Sequence, residues 1–202
     1  MMDIVCLDLE GVLVPEIWIN VAQKTGIEAL RLTTRDISDY DLLMKGRLKI
    51  LRKHKLTLSD IQAVIATIDP LDGAVEFLSA LRARTQVLIL SDTFTEFAKP
   101  LMEKLAWPTL WCNSLVIDDG GMIEDYKLRI RDGKFHAIKA LKGLNFRTFA
   151  AGDSYNDLSM IEEADAGCLF RAPEGILESH PHLKHATTYG EFISAVEEFL
   201  QG

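Results

Sequence analysis

The strongest constraint in this sequence is an apolar run, Ile4-Val5-Cys6-Leu7, that stops abruptly on Asp8-Leu9-Glu10. A short continuous run rich in β-branched residues reads as a strand buried on both faces, as at the centre of a parallel sheet. Ionised carboxylates are costly to hold at the edge of a core unless a cation, a donor cluster or a ligand compensates them. Asp8 and Glu10 therefore mark either a ligand site at the strand's carboxyl end or a turn in which Asp8 accepts local backbone hydrogen bonds.

A second apolar run, residues 146–151, leads into Gly152-Asp153-Ser154-Tyr155-Asn156-Asp157. In open α/β sheets the carboxyl ends of the strands form the ligand crevice, so Asp8, Glu10, Asp153 and Asp157 would share one edge. Two carboxylates about 4 Å apart repel by about 4 kcal/mol at an effective dielectric near 20. A divalent cation removes that cost, and oxygen-only ligands beside a phosphate favour Mg2+ over zinc.

Between these runs the pattern predicts helices over 16–25, 42–54 and 57–68, the last opening on Thr57 or Ser59 as N-cap, with no strand in 15–71. That block reads as a small helical insert after the first strand, with residues 1–14 and 72–202 forming the core. From residue 72 helix and strand alternate. A helix carries the stripe Val75, Leu78 and Leu81, a strand covers 86–90, and a helix over 94–105 should bend at Pro100. A strand covers 109–112, and 114–130 alternates around the hairpin turn Asp118-Asp119-Gly120-Gly121. Helices over 133–144, 158–164 and 191–200 and a strand over 166–170 complete a doubly wound, Rossmann-like parallel α/β sheet.

The 202 residues suffice for one good core and a small second module. A net charge of −8 without clustered Lys and Arg argues against a nucleic-acid partner. No run approaches a membrane span, and an acid at position 3 replaces a basic leader, so the expected setting is cytoplasmic. Cys6, Cys112 and Cys168 sit in apolar strand candidates without metal-type spacing and read as buried thiols of a reducing compartment. His180, His182 and His185 flank Pro181 and read as a solvated loop rather than a metal cluster.

What lies just beyond the strands is a set: Asp8, Glu10, Ser91, Asp92, Lys134, Asp153, Asn156 and Asp157. Together they offer a carboxylate nucleophile, an acid or base, a hydroxyl, a cation and a metal site, the equipment of phosphoryl transfer. Individually Ser91 reads as a turn residue and Lys134 as a solvated first-turn lysine. No Gly-x-x-x-x-Gly-Lys-Ser/Thr loop is present to bind a nucleotide. A receiver-type signalling module uses similar parts, but the length, the helical insert and an acid two residues after the nucleophile favour an enzyme.

Asp8-Leu9-Glu10-Gly11-Val12, Ser91, Lys134 and Gly152-Asp153-Ser154-Tyr155-Asn156-Asp157 stand in the order of the four motifs of the haloacid dehalogenase superfamily, which the chain resembles over essentially its whole length. The insert, Glu16 and the form of the last motif resemble the phosphoserine phosphatase branch. Asp-Leu-Glu with a short cap resembles members that also transfer the phosphoryl group to homoserine. The resemblance implies Asp8 as nucleophile and Glu10, where most members carry Asp, as proton donor and then acceptor. It implies Mg2+ held by Asp8, the Glu10 backbone carbonyl and Asp153, with Asp157 in support. Ser91, the backbone around Asp92, and Lys134 would hold phosphoryl oxygens, and Asn156 the phosphate or the bound water. Glu16 and Arg52 would grip the amino and carboxylate groups of a small substrate, with Arg47 the alternative to Arg52; the bland reading of both is helix-surface charge.

Overall fold

In the computed structural model, which describes residues 2–33, 36–37 and 39–202, β1 (Met2–Leu7) lies inside a seven-stranded sheet. The order is β4 (Ile123–Lys127), β3 (Thr109–Ile117), β2 (Gln86–Phe94), β1, β5 (Phe146–Gly152), β6 (Ala166–Phe170) and β7 (Lys184–Ala186). All pairings are parallel except that of β4 with β3. Leu7 pairs with Ile89 on one side and Ala151 on the other, so the chain winds outward from β1 in both directions. Asp8 and Asp153 leave the sheet at that reversal, where open α/β sheets bind ligands.

Burial on both sides explains why β1 is apolar without alternation. Val5 and Leu7 face a core closed by α4 (Ala74–Arg82), α5 (Thr95–Lys104) and α9 (Tyr189–Gln201). Ile4 and Cys6 face one closed by α6 (Gly133–Gly143), α7 (Leu158–Glu163) and α8 (Glu174–Ser179). Each such side chain contributes about 1.5–3 kcal/mol.

The block after β1 forms α1 (Ile17–Thr25), α2 (Tyr40–Lys53) and α3 (Leu58–Ile65), without a strand among its described residues. Thr57 caps α3 in a reciprocal pair with Asp60. Met44, Leu48, Leu51, Ile61 and Ile65 join the same buried cluster as Phe97 and Leu101 of α5, so these helices share a core with the sheet.

Several expectations shift. Leu78 and Leu81 are buried as expected, but Val75 is exposed, and Ala74 and Phe77 complete the buried stripe of α4. Strand β2 continues beyond Leu90 to Phe94, and β3 runs on to Ile117. Pro100 lies within α5, and the Glu96 carbonyl, whose helical donor it lacks, accepts from Gln62 Nε2 of α3 at 2.7 Å. Cys6 and Cys168 are buried, whereas Cys112 is half-buried. The expected histidine loop lies between α8 and β7, with His185 inside β7, a strand too short to announce itself. His182 there meets Glu162 at 2.9 Å, an acidic partner the sequence reading did not assign. No helix among the described residues is long and apolar enough to cross a membrane.

Candidate active site

The loop after β1 turns tightly, with Leu13 and Val14 donating to the Leu9 carbonyl and Gly11 donating to the Val14 carbonyl. Gly11 has φ 74°, and a Cβ there would fall 2.3 Å from the Asp153 carboxylate. Only glycine allows this conformation together with so close an approach. Gly152 does the same for the last motif, where a Cβ would lie 2.1 Å from the Asp157 carboxylate carbon.

These turns bring Asp8, Asp153 and Asp157 together, with one carboxylate oxygen from each within 4.8 Å of the others. Lys134, at the start of α6 and buried, places Nζ 3.0 Å from Asp8 Oδ1, 2.6 Å from Asp157 Oδ1 and 3.9 Å from Asp92 Oδ2. Burial opposes its charge, but Asp157, Asp8 and Asp92 outweigh burial and hold its ammonium well above the usual range. Asp8 is pushed well above the carboxylate range, first by burial and then by Asp157, against the pull of Lys134. With all three carboxylates ionised, one ammonium would leave two negative charges, which a divalent cation would match. The all-oxygen donor set suits a hard cation such as Mg2+.

Asp157 is fully buried and already engaged. Its Oδ2 accepts from the Asp153 and Ser154 amides at 3.1 and 3.0 Å and from Ser154 Oγ at 3.1 Å, while Oδ1 takes Lys134. It therefore braces the acidic loop and aims Lys134. Asn156 Nδ2 donates to Asp92 Oδ2 at 3.0 Å, and Ser91 Oγ accepts from the Thr93 amide at 3.2 Å inside β2.

Glu10 reaches away from this floor toward the insert, where Oε2 accepts from the Ile17 amide at 2.7 Å and so caps α1. Burial and then the neighbouring Glu16 raise its carboxyl to about 8, although the Ile17 amide and Arg47 pull the other way. Burial thus favours the protonated form of Glu10.

Asp8, Glu10, Ser91, Asp92, Lys134, Asp153 and Asn156 line one cavity of about 1360 Å3, with Asp157 buried behind them, and its insert-side wall includes Glu16, Trp18, Tyr40, Leu43 and Arg47. Arg47 is buried, stacks 4.5 Å over Trp18 and donates from Nη2 to the Leu32 carbonyl at 2.7 Å. Its buried Nε has no hydrogen-bond partner among the described residues. Burial lowers its guanidinium to about 10, so it stays charged at neutral pH.

The preference for Arg52 over Arg47 is reversed by this geometry: Arg52 is exposed and lies outside the cavity. Arg52 is five residues on, about 140° around the helix, and leaves the stripe Leu43, Met44, Arg47, Leu48 and Leu51 that α2 buries. That stripe was the available signal. Sequence reasoning also missed Tyr40, one and two turns before Leu43 and Arg47 on the same face, and Tyr126 of β4, whose hydroxyl donates to Asp41 at 2.6 Å.

The family profile for haloacid dehalogenase-like hydrolases matches residues 2–165. The chain is 58% identical over 203 residues to phosphoserine phosphatase ThrH of Pseudomonas aeruginosa PAO1, covering 98% of this chain and 99% of that protein. It is 57% identical over 189 residues to a phosphoserine phosphatase of Pseudomonas syringae pv. tomato, covering 94% and 80%. Among solved structures, a substrate-bound phosphoserine phosphatase complex superposes with a TM-score of 0.74 at 21% identity, over 100% of this chain and 98% of that one. The phosphoserine phosphatase of T. onnurineus does so with a TM-score of 0.73 at 23% identity, over 96% and 94%. Those two likenesses concern the fold. The family is one of hydrolases, which separates the chain from receiver-type switches. On the profile match and the near-full-length relatives, the chain belongs to the haloacid dehalogenase-like hydrolases.

Proposed function

We propose that this chain is an Mg2+-dependent phosphoserine phosphatase that works through a phosphoryl group on Asp8 and passes it to water or to homoserine. The observation that carries the substrate assignment is Arg47. Its side chain lines the same cavity as Asp8 and Lys134 and brings a buried guanidinium to the insert side, so an anion at each end is accommodated at once. A small phosphorylated amino acid has such a phosphate and carboxylate, and the near-full-length relatives are named for phosphoserine.

In this reading Asp8 attacks phosphorus, and Lys134 with Ser91 and the backbone at Asp92 neutralises and orients the phosphoryl oxygens. Glu10, whose protonated form burial favours, gives its proton to the departing serine oxygen and then takes one from the incoming water or alcohol. Asp8, the Glu10 carbonyl and Asp153 would hold the cation, with Asp157 bracing them. When bound, the cation supplies positive charge that keeps Asp8 ionised despite its burial and draws charge from the phosphate. Arg47 forks the substrate carboxylate, Glu16 takes the ammonium, and Asn156 reaches the phosphate or a water.

Residues 15–71 act as the cap that closes the site, in a cytoplasmic setting consistent with three free cysteines. A cavity of about 1360 Å3 exceeds what one serine phosphate needs and leaves space for an acceptor alcohol. Homoserine differs from serine by one methylene, which a site discriminates by only about 1–3 kcal/mol. The test supplies phosphoserine with Mg2+ and increasing homoserine and follows phosphorus NMR. Sustained phosphate release with growing O-phosphohomoserine supports the reading. Free phosphate matching all serine released at saturating homoserine leaves a plain phosphatase, and no turnover of phosphoserine overturns the assignment.

A further inference from the structure

The peptide at Asp92 is held in an unusual way for a strand. Pairing of β2 with β3 runs regularly to Leu90 opposite Trp111 and resumes only at Phe94 opposite Asn113, with a register shift between. Over Ser91–Thr93 the backbone has therefore left the regular ladder, and side chains set its orientation. The Asp92 carbonyl accepts from Asn113 Nδ2 of β3 at 3.2 Å and from the Tyr40 hydroxyl of α2, also at 3.2 Å. The Asp92 carboxylate accepts from Asn156, and the Thr93 amide is turned onto Ser91 Oγ. Asn113 is buried, belongs to the sheet and also accepts from the Arg129 amide at 3.1 Å. Tyr40 belongs to the helix that carries Arg47, so its bond to Asp92 exists only while that helix is docked.

We infer that Tyr40 is a positioning residue: its hydroxyl completes the hold on the Asp92 peptide and ties the seating of α2 to the orientation of the backbone at the strand end. Burial and the nearby Asp92 keep the Tyr40 hydroxyl protonated, hence a donor. The inference rests on the phosphatase reading above and adds to it a residue that acts on the phosphate site through the Asp92 peptide.

Tyr40→Phe keeps the ring, which packs edge-on to Tyr126 at 5.8 Å, and removes only the donor. The variant is assayed on phosphoserine and on a small aryl phosphate that has no carboxylate. Losing one hydrogen bond that shapes the transition state lowers kcat on both substrates by roughly threefold to tenfold and leaves KM within about twofold. Amide exchange of the 91–93 segment in the substrate-free protein should be faster than in wild type. An unchanged kcat, or a loss confined to KM for phosphoserine, overturns the inference, and so does unchanged exchange at 91–93. Exchange needs no turnover. A wild-type protein inert toward phosphoserine therefore defeats the substrate reading, whereas exchange reports separately on whether Tyr40 holds Asp92.

Discussion

Arg47→Ala isolates the part of the substrate assignment on which most depends. Nη2 is committed to the Leu32 carbonyl and Nη1 meets the Met44 sulfur at 3.6 Å, a weak acceptor that a substrate carboxylate can replace. Truncating one partner of a buried charge pair costs about 2–5 kcal/mol, much of it from the group left unpaired. That corresponds to a loss in kcat/KM on phosphoserine of about 30-fold to about 5000-fold. An aryl phosphate has no carboxylate to strand, so its loss stays within a few-fold. Arg47 also stacks on Trp18, so thermal unfolding of each variant accompanies the kinetics. Arg47→Lys, which keeps a point charge and the apolar stem but loses the fork, should fall between wild type and Arg47→Ala. Arg52→Ala should match wild type on both substrates, its side chain lying outside the cavity. Equal losses on both substrates in a folded Arg47→Ala protein would refute the carboxylate role, as would selective loss in Arg52→Ala.

Glu10→Gln removes the proton but keeps an acceptor for the Ile17 amide, so formation and breakdown of the intermediate should both slow by about 100-fold to 10,000-fold in single-turnover assays; a change in substrate affinity alone would remove Glu10 from proton transfer. Gly11→Ala sets a Cβ 2.3 Å from the Asp153 carboxylate, and displacing that group should raise the Mg2+ concentration for half-maximal activity by about tenfold or more; an unchanged requirement would mean Asp153 is not a ligand. Glu191 accepts from the Thr187 and Thr188 amides at 2.7 and 3.1 Å, which lowers its carboxyl to about 2. A depressed carboxylate stabilises the fold above its unfolded value near 4.5 and loses that effect as pH falls toward 2. The deficit in Tm of Glu191→Gln should therefore be full at neutral pH and shrink through this window; a pH-independent deficit would contradict the cap.

The floor of the site was legible because its constraints are local. An apolar run ending in acids, and a glycine before Asp153, can be seen without tertiary information. The wall was legible only in part. The insert's helices follow from periodicity, but choosing between Arg47 and Arg52 required phasing α2 by its buried stripe, in which Arg47 occupies an apolar position. In α4 the stripe Leu78 and Leu81 was legible, whereas Val75 was wrongly added and Ala74 and Phe77, on the same buried face, were left out. Short polar α8 and β7 draw their stability from packing against larger neighbours and leave little pattern. The Tyr40 and Asn113 bonds to Asp92 span 52 and 21 residues, and nothing in local sequence encodes them.

The central claim is that Asp8 carries the phosphoryl group. Rapid quenching of a phosphoserine reaction, followed by proteolysis and mass spectrometry under acidic conditions, should find one phosphoryl group on the peptide containing Asp8, forming before free phosphate and discharged sooner when homoserine is present. Asp8→Asn, nearly isosteric, should fold normally, form no adduct and lose turnover. Phosphate released with normal kinetics and no label at Asp8, or an Asp8→Asn protein retaining activity close to wild type, would contradict the account.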